Sequence, residues 1–277
     1  MDVFIVTDEL KKIYTDGLPP QVFKEADLFF GVQEGEYPAG IAAVRAMGDE
    51  FLLTYLFVRE EFRRQGAGTM LLDSVKETLR EIGADRLEVT YTLNDSTAEL
   101  HDFLEEQELL EDRDEDEKPV LVMQLKDIPE KYRNRKKAEG IVRLKDVRSG
   151  QWSLYMADYE KFKKEYPEYA VELKSRDYYD SEFSFVRMNK KKQIEAALLF
   201  SRHGNDLVLE HAIRITKPTR SDFMTLAFAA ITEAAAADPD MSISYCVYNP
   251  KILPVSDAIS GRKAKKIGVS VTHFYEF

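Results

Sequence analysis

The segment Val58-Arg59-Glu60-Glu61-Phe62-Arg63-Arg64-Gln65-Gly66-Ala67-Gly68-Thr69 joins an apolar strand, Phe51 to Val58, to an amphipathic helix. In that helix Leu71, Leu72, Val75, Leu79 and Ile82 repeat at helical spacing, and Gly83 is a plausible stop. Gly66 and Gly68 let backbone N–H groups turn inward with no side chain in the way. The first helical turn adds unpaired donors and a partial positive charge. Arg63 and Arg64 add charge-assisted contacts. This combination is suited to seating a pyrophosphate; the plainer alternative is a tight turn with exposed arginines. The Gly-Lys-Ser/Thr ending of a P-loop is absent, and so is the third glycine of a dinucleotide fingerprint.

Arg63-x-x-Gly66-x-Gly68, preceded by Leu56-x-Val58 and followed by Met70-Leu71-Leu72, resembles the acyl-CoA-binding motif of the GNAT superfamily of N-acyltransferases. Val89-Thr90-Tyr91-Thr92-Leu93-Asn94, then Thr97, Leu100 and His101, resembles that family's next strand and helix. The likeness covers residues 25–126 and is most specific over 56–104. It implies an α+β fold: a mixed, mostly antiparallel sheet, flanked by helices, that splays open between two central strands. Acyl-CoA would lie in the gap. Backbone at Phe57 and Val58 would pair with the pantetheine arm. Arg63 and the backbone N–H groups of Arg64, Gln65, Gly66, Ala67, Gly68 and Thr69 would hold the pyrophosphate. Asn94 would contact pantetheine or position the following helix.

Three departures from the family pattern bear on the chemistry. His101 stands where the family often has the tyrosine that protonates the departing thiolate; imidazole can do this near neutral pH. The alternative is a surface histidine beside Asp102. The family's glutamate base is expected at position 54, which is Thr54; Glu50, Tyr55 and Tyr91 are the substitutes within reach in sequence. The usual Gly-Phe ending of the second helix is replaced by Glu105-Glu106-Gln107-Glu108.

These groups must be positioned by a chain of 277 residues, 44% hydrophobic and 32% charged, enough for two ordinary domains with packed cores. The expected elements are a helix over Asp8 to Tyr14, strands over Leu28 to Val32, Gly40 to Met47 and Phe51 to Val58, and the glycine loop with its helix. A strand with alternating Leu87, Val89 and Tyr91, a helix from Ser96 to Glu106 and a strand from Val120 to Leu125 complete the first half. The second half repeats the order at an offset of 155: a hairpin of Ile194 to Phe200 with Leu207 to Ile213, a helix from Thr219 to Ala237, and strands at Ile243 to Val247 and Gly268 to Phe277. The reading is therefore two such domains in tandem, 1–126 binding acyl-CoA and 127–277 degenerate. At the offset the glycine loop becomes Pro218 to Phe223, with no glycine, so the second domain is not expected to bind CoA in that way.

Residues 1–126 carry 13 Lys+Arg and 29 Asp+Glu; residues 127–277 carry 26 and 21, for a net charge of −11. That balance argues against broad nucleic-acid binding. No apolar run approaches the length of a membrane helix, and the acidic N-terminus lacks a secretory n-region. The single cysteine, Cys246, fits a reducing cytoplasm and reads as a small buried residue rather than a nucleophile. Residues 105–117 hold nine carboxylates and one base, Arg113. They read as a solvated hairpin or as a lure for a cationic amine, and with no spaced His or Cys among them they indicate no metal site. Residues 131–137, with five basic side chains, read as a linker helix meeting the acidic half. The aromatic stretch from Tyr155 to Phe185 reads as core or as the lining of a cleft. The expected function is a cytoplasmic N-acetyltransferase moving acetyl from acetyl-CoA to a primary amine. The alternative is a non-catalytic acyl-CoA-binding regulatory or scaffold protein.

Overall fold

A computed structural model describes residues 1–15, 26–112, 117–166, 173–215, 221–248 and 252–277. The chain divides into two units. The first comprises Met1–Lys118 and Gly268–Phe277, the second Pro119–Ile267. The division thus falls eight residues before the expected boundary at 126, and the last ten residues belong to the first unit.

The first unit runs β1 (Asp2–Ile5), α1 (Asp8–Thr15), β2 (Leu28–Glu34), β3 (Tyr37–Met47), β4 (Glu50–Val58), α2 (Ala67–Glu81), β5 (Arg86–Leu93), α3 (Ala98–Glu106) and β6 (Leu110–Glu111). The second contains β7 (Pro119–Gln124), β8 (Ile141–Arg143), α4 (Ser149–Glu165), β9 (Phe185–Met188), β10 (Ile194–His203), β11 (Asp206–Arg214), α5 (Ser221–Ala237), β12 (Ser242–Cys246) and α6 (Leu253–Ser260). The chain closes with β13 (Lys265–Glu276).

In the first unit the strands β1 to β5 lie in chain order, followed by β13. Every neighbouring pair is antiparallel except β4 and β5. The second unit has the matching order β9-β10-β11-β12-β7, with β11 and β12 its parallel pair and β8 beyond β9. The boundary differs from expectation for this reason: β7 finds its ladder partner in β12, and β13 finds its own in β5.

The α2 periodicity is realised for Leu71 to Leu79, but Ile82, expected on the same face, lies just past the helix and is exposed. Leu71, Leu72, Val75 and Leu79 are fully buried against Phe30, Val32, Ala42 and Val44 of the sheet. At about 1.5–3 kcal/mol per buried side chain, this face anchors the helix that begins at the glycine loop. On the opposite face of the sheet, Tyr14 of α1 packs with Val6, Phe29, Ile41 and Ala43.

In the second unit α5 lies in one core cluster and α4 in another. Helix α4 has no counterpart among the expected elements. Its Trp152, Tyr155 and Tyr159 are buried, as are Tyr178, Tyr179, Phe183 and Phe185, whereas Phe162 is half-buried and Tyr166 exposed; Tyr169 lies outside the described residues. The basic run does not form a long linker helix. Only Glu130–Arg133 is helical, and Arg135 and Lys137 lie over the rings of Phe228 and Phe185, all in the second unit. Cys246 is half-buried rather than buried, at the end of β12. No described helix is long and apolar enough to cross a membrane.

Candidate active site

The two central strands of the first unit part. β4 pairs with β5 only at Glu50–Arg86, Phe51–Leu87 and Leu52–Glu88. β4 then continues against β3 as far as Val58, and β5 against β13 as far as Leu93. The register of β3 and β4 shifts between Ala43 and Val44, which leaves Thr54 as an extra residue. A bulge bends and over-twists its strand, and it lies where β4 leaves β5. Thr54 is held there by its own hydroxyl, which donates to the Ala43 carbonyl at 3.1 Å.

The glycine loop begins where β4 ends. After a 3-10 turn at Glu60–Phe62, Arg63 Nε donates back to the Val58 carbonyl (3.0 Å), and Gln65 Nε2 donates to the Glu61 carbonyl (2.8 Å). Both side chains brace the loop. Arg64 (φ 58°) and Gly66 (φ 86°) adopt the left-handed conformation, and α2 starts at Ala67. The Met70 N–H closes the first helical bond, to Gly66 (2.9 Å), so those of Ala67, Gly68 and Thr69 precede the helical ladder. The Arg64 guanidinium is exposed and, among the described residues, pairs with the exposed Glu99 at 3.2 Å, a pair worth under about 1 kcal/mol. It is the arginine of the two that is able to swing onto an anion.

Gly68 lies beside α3. A Cβ there would make ordinary contact with Phe103 Cζ on α3 at 3.4 Å and with Val58 at 3.8 Å, so α3 packs close beside the start of α2. Phe57 packs with Tyr55 on the α1 face of the sheet, so at that position only the backbone is available to the gap.

Asn94 sets the start of α3. Its Oδ1 accepts from the Ser96 N–H (2.9 Å) and hydroxyl (2.7 Å), and its own N–H donates to Thr97 Oγ1 (2.9 Å). The Thr97 hydroxyl in turn reaches the Thr92 carbonyl at 2.8 Å. One turn on, His101 Nδ1 lies 2.9 Å from the Tyr91 hydroxyl on β5, beyond the last β4–β5 pair. Burial, then the charges of Glu111, Glu105 and Asp102, raise the Tyr91 phenol well above its ordinary value. Tyr91 therefore stays protonated and is the natural donor to Nδ1, which leaves the imidazole proton on Nε2.

His273 of β13 completes the cluster and carries no sequence signal of its own. It is fully buried, stacked on Tyr91 at 5.8 Å between centroids and edge-on to His101 at 5.0 Å. Burial, then the neighbouring His101, lower its pKa.

Of the substitutes for a base, Glu50 begins β4, at the end far from the glycine loop. Tyr55 faces the α1 cluster, and burial raises its pKa. Tyr91 is engaged with His101.

The second unit echoes this geometry without the loop. β11 and β12 pair in parallel from Asp206–Ser242 to Leu209–Tyr245, and the β10–β11 register leaves Glu210 as the extra residue. Pro218 to Arg220 lie outside the described residues, and Phe223 packs against a core cluster. Glu210 is half-buried, with Tyr178 Oη at 2.7 Å, Ser201 Oγ at 2.6 Å and Lys174 Nζ at 3.6 Å. Burial pushes its pKa up, but Lys174, Ser201, Tyr178 and His211 outweigh that and hold it below the ordinary value. A carboxylate so shifted stabilises the fold above its unfolded-state pKa, and that contribution fades as pH falls through the lower folded value. Glu210→Gln should cost about 1.5–3 kcal/mol at pH 7. In chemical denaturation, the gap from wild type should shrink steadily on acidification below pH 4.5. A gap independent of pH would show that the charge contributes nothing.

Residues 5–106 match the model of the acetyltransferase (GNAT) family. No curated protein matches the chain. Among solved structures, a tandem GNAT protein from the clavulanic acid biosynthesis pathway aligns over 99% of this chain and 98% of its own, with 10% identity and a TM-score of 0.66. A putative acetyltransferase from Pyrococcus horikoshii aligns over 99% and 89%, with 12% identity and a TM-score of 0.60. A GCN5-related N-acetyltransferase from Sphaerobacter thermophilus aligns over 97% and 84%, with 15% identity and a TM-score of 0.54. At these identities the likeness is one of fold, and it extends across both units.

Proposed function

Residues 5–106 form a GNAT-family acetyltransferase domain, and from that premise we propose that the protein transfers an acetyl group from acetyl-CoA to a primary amine by direct attack. The observation that carries the reading is the parting of β4 and β5 beside the glycine loop, with the His101–Tyr91 pair on the β5 side. The α2 N-terminus and Arg64 would receive the pyrophosphate. The thioester would lie along β4, where backbone N–H groups with no partner strand can hold the oxyanion. The amine nitrogen forms a bond to the carbonyl carbon, the C–S bond breaks, and the departing thiolate takes the proton from His101 Nε2. The amine reaches the site deprotonated through water, since Glu50, Thr54 and Tyr55 are all placed for other work.

The second unit takes no CoA in this reading. Calorimetric titration of the wild-type chain should give one CoA per chain. The Gly66→Val, Gly68→Val double variant should show no binding. Valine at Gly66 is strained at a positive φ, a cost of about 1–2 kcal/mol, and valine at Gly68 adds methyl groups where its Cβ is already in contact with Phe103. Unchanged affinity in a folded double variant would move the site elsewhere.

The reaction itself is tested by thiol release from acetyl-CoA against a panel of amines. Amine-dependent release supports transfer. CoA binding with no release for any amine would instead favour a non-catalytic acyl-CoA-binding protein.

A further inference from the structure

We propose that His101, Glu105 and His273 form a binding site for a single divalent transition-metal ion, with zinc the best-matched occupant. One ligand atom from each of the three lies within 4.8 Å of the others. Tetrahedral zinc with bonds of about 2.0–2.1 Å needs its ligand atoms about 3.4 Å apart. The cluster closes on an ion by a shift of about an ångström, and Glu105, half-exposed at the end of α3, is free to supply it.

His273 is the strongest pointer. It is fully buried, and neither of its ring nitrogens has a hydrogen-bond partner. A neutral imidazole needs one donor and one acceptor partner, and burying it without either costs free energy. Ring stacking on Tyr91 and His101 accounts for its packing but satisfies neither nitrogen. A metal bond to one of them would.

His101 is oriented for the same ion. Its Nδ1 lies 2.9 Å from the Tyr91 hydroxyl and its Nε2 faces Glu105 at 3.9 Å; with an ion on Nε2 the ring proton moves to Nδ1 and is donated to the Tyr91 oxygen, the phenol turning from donor to acceptor. A ring nitrogen fixed by an outer partner while the other binds metal is the usual arrangement around a metal-ligating histidine. His101 and Glu105 are four residues apart on one face of α3. The third ligand arrives from β13, so the site joins a helix to a strand. Glu111, paired with His273 between β6 and β13, adds negative charge nearby. Two imidazoles and one carboxylate suit zinc, cobalt or nickel and disfavour magnesium and calcium, which prefer all-oxygen shells. Three protein ligands leave a fourth position for water or a thiolate.

Binding needs no acyl transfer, but one consequence rests on that reading: an ion on His101 Nε2 occupies the nitrogen that protonates the leaving thiolate, so zinc would inhibit turnover.

The test uses the full chain after dialysis against chelator, titrated with Co²⁺ and read by its visible d–d absorption. A saturable spectrum at one ion per chain, displaced by Zn²⁺ and not by Ca²⁺, is expected. Glu105→Gln, a surface change that leaves the fold intact, should weaken binding at least tenfold, and His273→Asn should abolish the spectrum. Full-strength binding in both variants would place the ion elsewhere and overturn the assignment, as would no Co²⁺ spectrum in the wild type. If acetyl transfer is absent but the spectrum behaves as described, the metal site stands and the acyltransferase reading falls.

Discussion

Deleting residues 268–277 should unfold the first unit while leaving the second standing. β13 pairs with β5 at eight consecutive positions, from Val269–Leu93 to Glu276–Arg86. Its aromatic end also packs on α2: Arg80 donates to the Tyr275 hydroxyl at 3.0 Å, Lys76 Nζ lies over the Tyr275 ring, and Phe277 joins the same core cluster. Tyr275 and Phe277 are partly buried, so removing them forfeits at most about 1.5–3 kcal/mol apiece. Each lost ladder hydrogen bond adds about 1 kcal/mol, so the sum reaches the 5–15 kcal/mol by which a whole domain is stable. The single tryptophan, Trp152, lies in a core cluster of the second unit and reports on that unit alone. The truncated chain should keep a cooperative Trp152 fluorescence transition, lose amide protection along β4 and β5, and bind no CoA. Native protection along β5 in the truncated chain would show that β13 is dispensable.

His101→Phe should lower kcat by roughly 10²–10⁴-fold, the range for loss of a general acid, or about 3–5 kcal/mol of barrier. On the proposed mechanism the ring acts at sulfur and the glycine loop would take the phosphates, so CoA affinity should hold. Placing tyrosine at 101 should recover part of the rate. Tyr91→Phe is a milder companion: it removes the hydroxyl that sets the proton on Nε2, so a smaller fall in kcat with a displaced pH profile is expected. Wild-type kcat in His101→Phe at saturating amine would exclude the histidine from the chemistry.

Much of this arrangement was legible in the residues. The offset of 155 carries α2 onto 222–236, where α5 occupies Ser221–Ala237, and carries β4 onto 205–213, where β11 occupies Asp206–Arg214. Those elements declare themselves through strong local periodicity. Helix α4 does not: its Trp, Tyr, Lys and Glu residues make only a weak apolar stripe, and its burial comes from tertiary packing. The exchange of β7 and β13 was illegible for a different reason, since a strand's own residues do not name the ladder it joins and the pairing is set by long-range contacts. The loop was legible as a loop, but Arg63 proved to brace Val58 and Asn94 to shape the turn before α3. His273 lies 172 residues from His101, and only sheet order brings them together.

The placement of β13 also sets a timetable for biosynthesis. A ribosome that has finished Lys118 has made every element of the first unit but the strand that closes it. About 150 further residues must follow before Gly268 emerges, which takes roughly 8–30 s at ordinary elongation rates. For that interval β5 presents an open edge, a template for pairing with a neighbouring nascent chain. The usual order of domain folding is reversed, with the half made first completed last, and a chaperone able to shield an exposed strand would matter most to this protein while it is still being translated.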